Sequence, residues 1–120
     1  MELKEQGKTY ELSGDFREAI KNYLQAALEL GNDKQIEDSK AEIAECLYRA
    51  AACFVELQEY SKAIKVYQNA INAYSQSEMD LAEKYQKIAN CCADIATCLL
   101  NPNPTIGTPN YNDAIKYGQK

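Results

Sequence analysis

Apolar residues recur three and four apart through Phe16, Ala19, Ile20, Tyr23, Ala26, Ala27 and Leu30, the spacing of one buried face of an α-helix. A shorter helix over 2–13 precedes it and ends at Gly14, which can take the left-handed conformation that closes a helix. Asp15 restarts the chain as an N-cap whose carboxylate accepts an orphan amide hydrogen bond, and Glu18, three residues on, completes a variant capping box. Gly31-Asn32-Asp33 ends this first hairpin. A long helix over 34–57 is expected next, with Ile36, Ile43, Leu47, Ala50, Cys53, Phe54 and Leu57 turned inward. At about 1.5 Å per residue it would reach roughly 36 Å. Gln58-Glu59 is a tight link without glycine, and 60–74 forms the partner helix through Ala63, Ile64, Tyr67, Ala70, Ile71 and Tyr74. Links this short force antiparallel neighbours. Ser77 with Asp80 reads as a further capping box, opening a helix to about Leu100 through Leu81, Tyr85, Ile88, Cys92, Ile95 and Leu99.

The pattern repeats itself. Gly14-Asp15-Phe16-Arg17-Glu18-Ala19-Ile20-Lys21-Asn22-Tyr23 returns 44 residues later as Gln58-Glu59-Tyr60-Ser61-Lys62-Ala63-Ile64-Lys65-Val66-Tyr67, and Tyr111-Asn112-Asp113-Ala114-Ile115-Lys116-Tyr117 is a third copy. Between the copies, Cys46 to Cys53 recurs as Cys91 to Cys98, 45 residues on. Residues 101–110 carry three prolines and one glycine and cannot continue a helix. Tyr60 and Tyr111 are 51 residues apart, six more than the 45-residue offset, so this stretch reads as a loop inserted into an otherwise regular repeat. Asn110 can cap a last helix over 111–120 of barely two turns. The expectation is therefore a fragment of a longer array. Stacked units of this kind usually build binding surfaces rather than catalytic pockets.

Gly7, Tyr10, Gly14, Phe16, Ala19, Tyr23 and Ala26 in the first copy, and Ala51, Phe54, Tyr60, Ala63, Tyr67 and Ala70 in the second, fall in one frame. This arrangement resembles the tetratricopeptide repeat (TPR), in which small residues let two helices approach and aromatic knobs fill the holes between repeats. The resemblance implies an all-α fold of antiparallel helical hairpins stacked as a right-handed solenoid. It would be a single domain over 1–120, with repeats at about 1–31, 32–76 and 77–120. The repeat-closing proline of the common form is replaced by Gly31 and Ser75, and the period of 44 to 45 exceeds the common one of about 34. Long-helix repeats with Ala-Ile-x-x-Tyr cores and a loop before the last Tyr-x-x-Ala-Ile look like the soluble NSF attachment proteins (SNAPs), adaptors of vesicle fusion. That implies a SNARE-like helical bundle as partner and a role in intracellular transport. SNAPs grip the bundle through basic residues, whereas this sequence has no basic stripe and no leucine-rich tail. Kinesin light chains and bacterial peptide-sensing regulators also use long repeats, so the place within the superfamily stays open.

Composition narrows the function further. With 46% hydrophobic and 26% charged residues, a chain of 120 residues can build a packed core. Eighteen acidic against thirteen basic residues, a net charge of −5 and no Lys/Arg cluster disfavour nucleic acid, whose phosphates must be neutralised. The longest apolar run, 50–55, is far below the roughly 18 residues of a membrane span, so a membrane would be met only indirectly. The N-terminal residues alternate in charge without a secretory h-region, and five cysteines, an odd number, favour reduced thiols. The cytosol, at most peripheral to membranes, is the expected setting.

The absence of histidine removes Cys-His, Ser-His-Asp and His-metal chemistry at once, and no cofactor, metal or catalytic residue is expected. Cys46 with Cys53 and Cys91 with Cys98 are each seven apart, which stacks them on one helix face as small core residues. The neighbours Cys91 and Cys92 point to different faces, which leaves one of them open to reaction. Acidic groups such as Glu37-Asp38 and Glu42 with Glu45 lack calcium-loop spacing and read as solvated helix faces. The functional surface is then the inner face of the first helix of each repeat: Lys4, Lys8 and Glu11; Glu45, Tyr48, Ala52 and Val55; Asn90, Ala93 and Thr97. Tyr48 beside Arg49 is the anchor expected for a bound peptide or helix, because aromatic and Arg side chains dominate binding energy. A known TPR mode clamps a C-terminal carboxylate with Lys and Asn four apart. Lys4 fits, but Lys8 and Ala52 stand where asparagines are needed, so that mode is disfavoured. The competing expectation is a generic scaffold, or a structural segment whose last repeat pairs with another chain.

Overall fold

The computed structural model describes residues 2–32 and 39–100, which form five α-helices in chain order: α1 Glu2–Ser13, α2 Phe16–Asn32, α3 Lys40–Glu56, α4 Tyr60–Gln76 and α5 Leu81–Leu100. Among the described residues there is no strand. The expected positions of Ile36 and of the first turn of the 34–57 helix, the 101–110 loop, the Asn110 cap and the 111–120 helix lie outside the described residues. Each helix packs against the next in sequence, α1 on α2, α2 on α3, α3 on α4 and α4 on α5. Such dominance of contacts between sequence neighbours is the pattern of a helical repeat.

The two repeated turns are one motif. The Gly14 amide donates to the Glu11 carbonyl (3.1 Å) and the Asp15 amide to the Tyr10 carbonyl (2.9 Å), which is a Schellman closure of α1 with Gly14 at φ +86°. In the second hairpin the Gln58 amide donates to the Val55 carbonyl and the Glu59 amide to the Phe54 carbonyl, both at 2.9 Å. Gln58 takes the left-handed conformation there, at φ 60°, although it carries a side chain. Arg17 joins the two turns through its 2.9 Å ion pair with Glu59.

Three boundaries differ from expectation. Asp15 does cap α2, its Oδ1 accepting the Glu18 amide at 3.4 Å, but the reciprocal half of the capping box does not form. The Asp15 amide is already taken by the Tyr10 carbonyl, and the Glu18 carboxylate accepts Lys21 Nζ at 3.3 Å instead. The helix described after α2 begins at Lys40, with Ser39 before it outside helical geometry (φ −92°, ψ 4°). The Ser39 hydroxyl donates to the Leu30 carbonyl of α2, which fastens the connection to the preceding helix. Ser77 closes α4 rather than opening α5, since its amide and hydroxyl both donate to the Tyr74 carbonyl (3.1 and 2.7 Å). Asp80 alone caps α5, accepting the Glu83 amide at 3.4 Å.

The core follows the repeat frame. Ala19, Ala50, Ala51, Ala63 and Ala70 are fully buried, and Tyr23, Tyr67 and Tyr74 fill the space these small residues leave. Gly7 shows why the first helix needs a small residue here. A Cβ at Gly7 would lie 2.8 Å from the ring of Tyr23, too close for the two helices to keep their spacing. Cys46 joins Ala26, Ala27 and Leu30 in a second cluster between α2 and α3.

All five cysteines are buried and none is in a disulfide, Cys91 and Cys92 included. The expectation that one of that pair is reactive is thus corrected. The buried arc of α5 is wide enough to take Cys91 and Cys98 on one flank and Cys92 and Leu99 on the other. Burial pushes the Cys91 thiol up to about 12 and those of Cys46 and Cys98 to about 11, so the nucleophilic thiolate is scarce at neutral pH.

Candidate functional site

Ion pairs crossing from α1 to α3, and a pocket whose walls come from α1, α3 and α5, place these three alternate helices along one face. Lys4 of α1 reaches α3, where its Nζ lies 2.8 Å from Glu42 and 3.0 Å from Glu45. Lys4 is 8% exposed. Burial alone would lower its pKa, but the hydrogen bonds it donates to the two carboxylates outweigh that and raise it. Glu45 is held below the usual carboxylate range for the matching reason, because Lys4 and Arg49 overcome the opposing effect of burial.

Arg49 continues the network. Its Nε lies 3.3 Å from Glu45 Oε1 and its Nη1 4.0 Å from Glu11 Oε1. Glu11 in turn accepts the hydroxyl of Tyr23 at 2.8 Å. An unbroken chain therefore runs Glu42, Lys4, Glu45, Arg49, Glu11, Tyr23, and joins α1, α2 and α3.

Tyr48 belongs to a second network. Its ring meets that of Tyr67 edge to face at 5.6 Å. The Asp94 carboxylate of α5 lies close enough to both phenols to act on them electrostatically. Burial first, and then the Asp94 carboxylate, push the Tyr48 phenol up to about 12.

Of the sequence-predicted site residues, Lys4, Glu11, Glu45 and Arg49 are thus brought together, with Tyr48 beside them. Lys8 stands at their margin, 3.6 Å from Glu5. Val55 is half-buried and packs against the core. Asn90 and Thr97 are exposed on α5, with Asn90 Oδ1 accepting from Gln86 at 3.1 Å and Thr97 Oγ1 donating to the Ala93 carbonyl at 3.0 Å. Neither touches the charge network.

Two open pockets lie on this face. One, of about 170 Å³, is lined by Glu11, Glu45, Tyr48, Arg49, Ala52, Tyr74 and Lys87. The other, of about 160 Å³, is lined by Lys8, Glu11, Leu12 and Arg49. Sequence reasoning missed Tyr74, Lys87 and Asp94. Asp94 stands 45 residues after Arg49, so the internal repeat could have found it. Tyr74 was legible only as a core residue of α4, and nothing in the sequence places it at a pocket wall.

Residues 45–77 match the family model of the tetratricopeptide repeat. The matched stretch covers most of α3, the Gln58-Glu59 turn and α4, and within it Ala51, Ala63 and Ala70 are fully buried with Tyr67 at 2% exposure. This supports the tetratricopeptide superfamily, in general a protein-binding and non-enzymatic fold. The comparisons with curated proteins and with solved structures gave no match. Among the described residues no group of three or more His, Cys, Asp or Glu side chains could hold a metal ion, and no helix is long and apolar enough to cross a membrane.

Proposed function

We propose that this chain is a protein-interaction module that takes a peptide or helix of a partner along the face of α1, α3 and α5, the expected concave side of a right-handed solenoid. The observation that carries the reading is the pocket under Tyr48 and Arg49, which opens on that face and takes part of its wall from the stretch matched by the tetratricopeptide family. Concave sites with a few convergent polar groups are where ligands bind. The setting we propose is cytosolic. Within this reading, the 44 to 45 residue period and the Ala-Ile-x-x-Tyr cores support a SNAP-like adaptor that handles a SNARE-like helical bundle in vesicle trafficking.

Photo-crosslinking separates the levels. A crosslinker placed at Asn90 or Thr97, exposed on α5, is expected to trap a partner protein from cytosol, whereas one at Lys65, exposed on α4, is not. Equal trapping from both positions would count against the face. Binding of a purified four-helix SNARE bundle in the micromolar range supports the adaptor reading, and its absence removes that reading while leaving the module.

A further inference from the structure

The pocket between α3, α4 and the start of α5 holds two hydrogen-bond donors that no other described residue engages. Tyr74 is 2% exposed, yet among the described residues its hydroxyl has no hydrogen-bond partner. No fully buried side-chain oxygen or nitrogen lacks a partner, so the Tyr74 oxygen is not sealed in the core; it reaches the wall of the pocket that Tyr74 lines. Lys87, half-buried on the same wall, likewise has no ion pair or hydrogen bond among the described residues.

The other charges of the pocket are already matched. Glu45 is held by Lys4 and Arg49, and Glu11 by Arg49 and the Tyr23 hydroxyl. Lys87 is therefore the local positive charge without a counter-ion. A ligand acceptor can take the place of water on an accessible hydroxyl, and an ammonium beside a phenol is matched best by an ionised carboxyl group. Tyr48 and Ala52 supply an apolar rim for the methylene groups that would carry it.

We infer that this pocket receives the carboxylate of an acidic side chain, Asp or Glu, from a peptide laid along the α1, α3 and α5 face, with Lys87 and the Tyr74 hydroxyl as its donors. The inference rests on the proposed function, since it names the chemistry of the partner at that same face. It differs from clamping of a terminal carboxylate at Lys4, because Lys4 is already held by two carboxylates.

The test is an NMR titration of the whole chain with three pentapeptides at constant ionic strength. The first is acetylated and amidated Ala-Ala-Glu-Ala-Ala, the second the same with Gln for Glu, and the third the Gln peptide with a free C-terminus. Expected are amide shifts around Ala52, Tyr74 and Lys87, and an affinity for the Glu peptide at least three-fold above that for the Gln peptide. Lys87→Gln and Tyr74→Phe should each remove most of that difference. Tyr74→Phe keeps the ring in the core, so an unchanged melting temperature verifies that the fold is intact. Equal affinity for the Glu and amidated Gln peptides, or a Glu preference that survives both substitutions, overturns the inference. So does a gain from the free C-terminus equal to that from Glu, which would assign the pocket to chain ends. A partner trapped at Asn90 whose binding ignores Lys87→Gln would leave the interaction module standing and sink only this site.

Discussion

The two complete hairpins use one backbone plan and satisfy it with different chemistry. In the first, Tyr23 rests on Gly7 and gives its hydroxyl to Glu11 in α1, so the hairpin closes its own polar contact and touches α3 through Arg49. In the second, Ala51 stands in the place of Gly7, and Val55 in that of Glu11, 44 residues on. Tyr67 therefore has no acid at the matching place in its own hairpin, and the Asp94 carboxylate of α5 acts on it and on Tyr48 instead. The repeated tyrosine secures the first hairpin internally and ties the second to the third. One exchange, Glu to Val, changes which units are coupled.

Alkaline pH challenges both hairpins together and should have the largest effect. Cys46, Cys53, Cys91 and Cys98 have pKa values raised from an ordinary 9.0 to between about 11 and 12, and the buried phenols of Tyr23, Tyr67 and Tyr74 are raised as well. A raised folded value gives stability that is complete below the unfolded pKa and is lost as pH rises through the folded one. Each thiol thus removes about 1.4 kcal/mol per pH unit above pH 9. Urea midpoints should be flat from pH 6 to 8 and fall steeply by pH 11. A flat profile to pH 11 would mean that the thiols are not buried. Alkylation supports the same point if native labelling is slow and denaturant speeds it.

Next in size is the acid that joins the second hairpin to α5. Asp94→Ala removes the carboxylate that α5 sets beside the Tyr48 and Tyr67 phenols, and should cost about 1–2 kcal/mol, with Asp94→Asn losing less. Urea denaturation decides it, and a loss under about 0.5 kcal/mol would erase the contrast between the hairpins. Gly7→Ala is expected to destabilise by about 1 kcal/mol, because overpacking against the Tyr23 ring exceeds the helix propensity gained. Ala51→Gly should cost a similar amount for the opposite reason, lost propensity and a small void. If both changes were neutral, the close approach in the first hairpin would not differ from that in the second.

The smallest effect concerns the turns. Gly14→Ala puts a side chain at φ +86° with nothing within 4 Å of it, so the cost, about 1 kcal/mol, is one of backbone conformation alone. Gln58→Gly relaxes the same position in the second hairpin and should raise the melting temperature slightly, by about 0.5 kcal/mol in stability, since part of the gain is returned to the unfolded chain. Opposite signs at the two turns are the expected outcome. Matching signs would show that the contact Gln58 already makes outweighs its strain.

Much of the fold was legible because helix periodicity is a local signal. The apolar stripes of α2 and α4, the Gly14 closure and the Asp15 cap were read directly, and the internal repeat extended that reading to Gln58, where no glycine marks the turn. Competing partners blurred the boundaries. Ser39 and Ser77 carry the same hydroxyl that caps helix starts, yet each donates backwards, to Leu30 and Tyr74, and sequence spacing cannot say which carbonyl lies nearer. For the candidate site, the frame placed Lys4, Glu11, Glu45, Tyr48 and Arg49 on one face, but not the bonds among them.

By itself, the sequence determined that this chain is helical, repeated every 44 to 45 residues, and built on small residues facing tyrosines, since these follow from spacing and side-chain size along one helix at a time. Only the tertiary structure decided which of its charges are spent on one another. Lys4 and Arg49 look like free groove residues in the sequence and are bound to three carboxylates in the fold, while Tyr74 looks like core and carries beside Lys87 a hydroxyl that no other described residue engages. The reason is physical: whether a polar group is satisfied depends on distances between helices, and those are set by packing rather than by the order of residues.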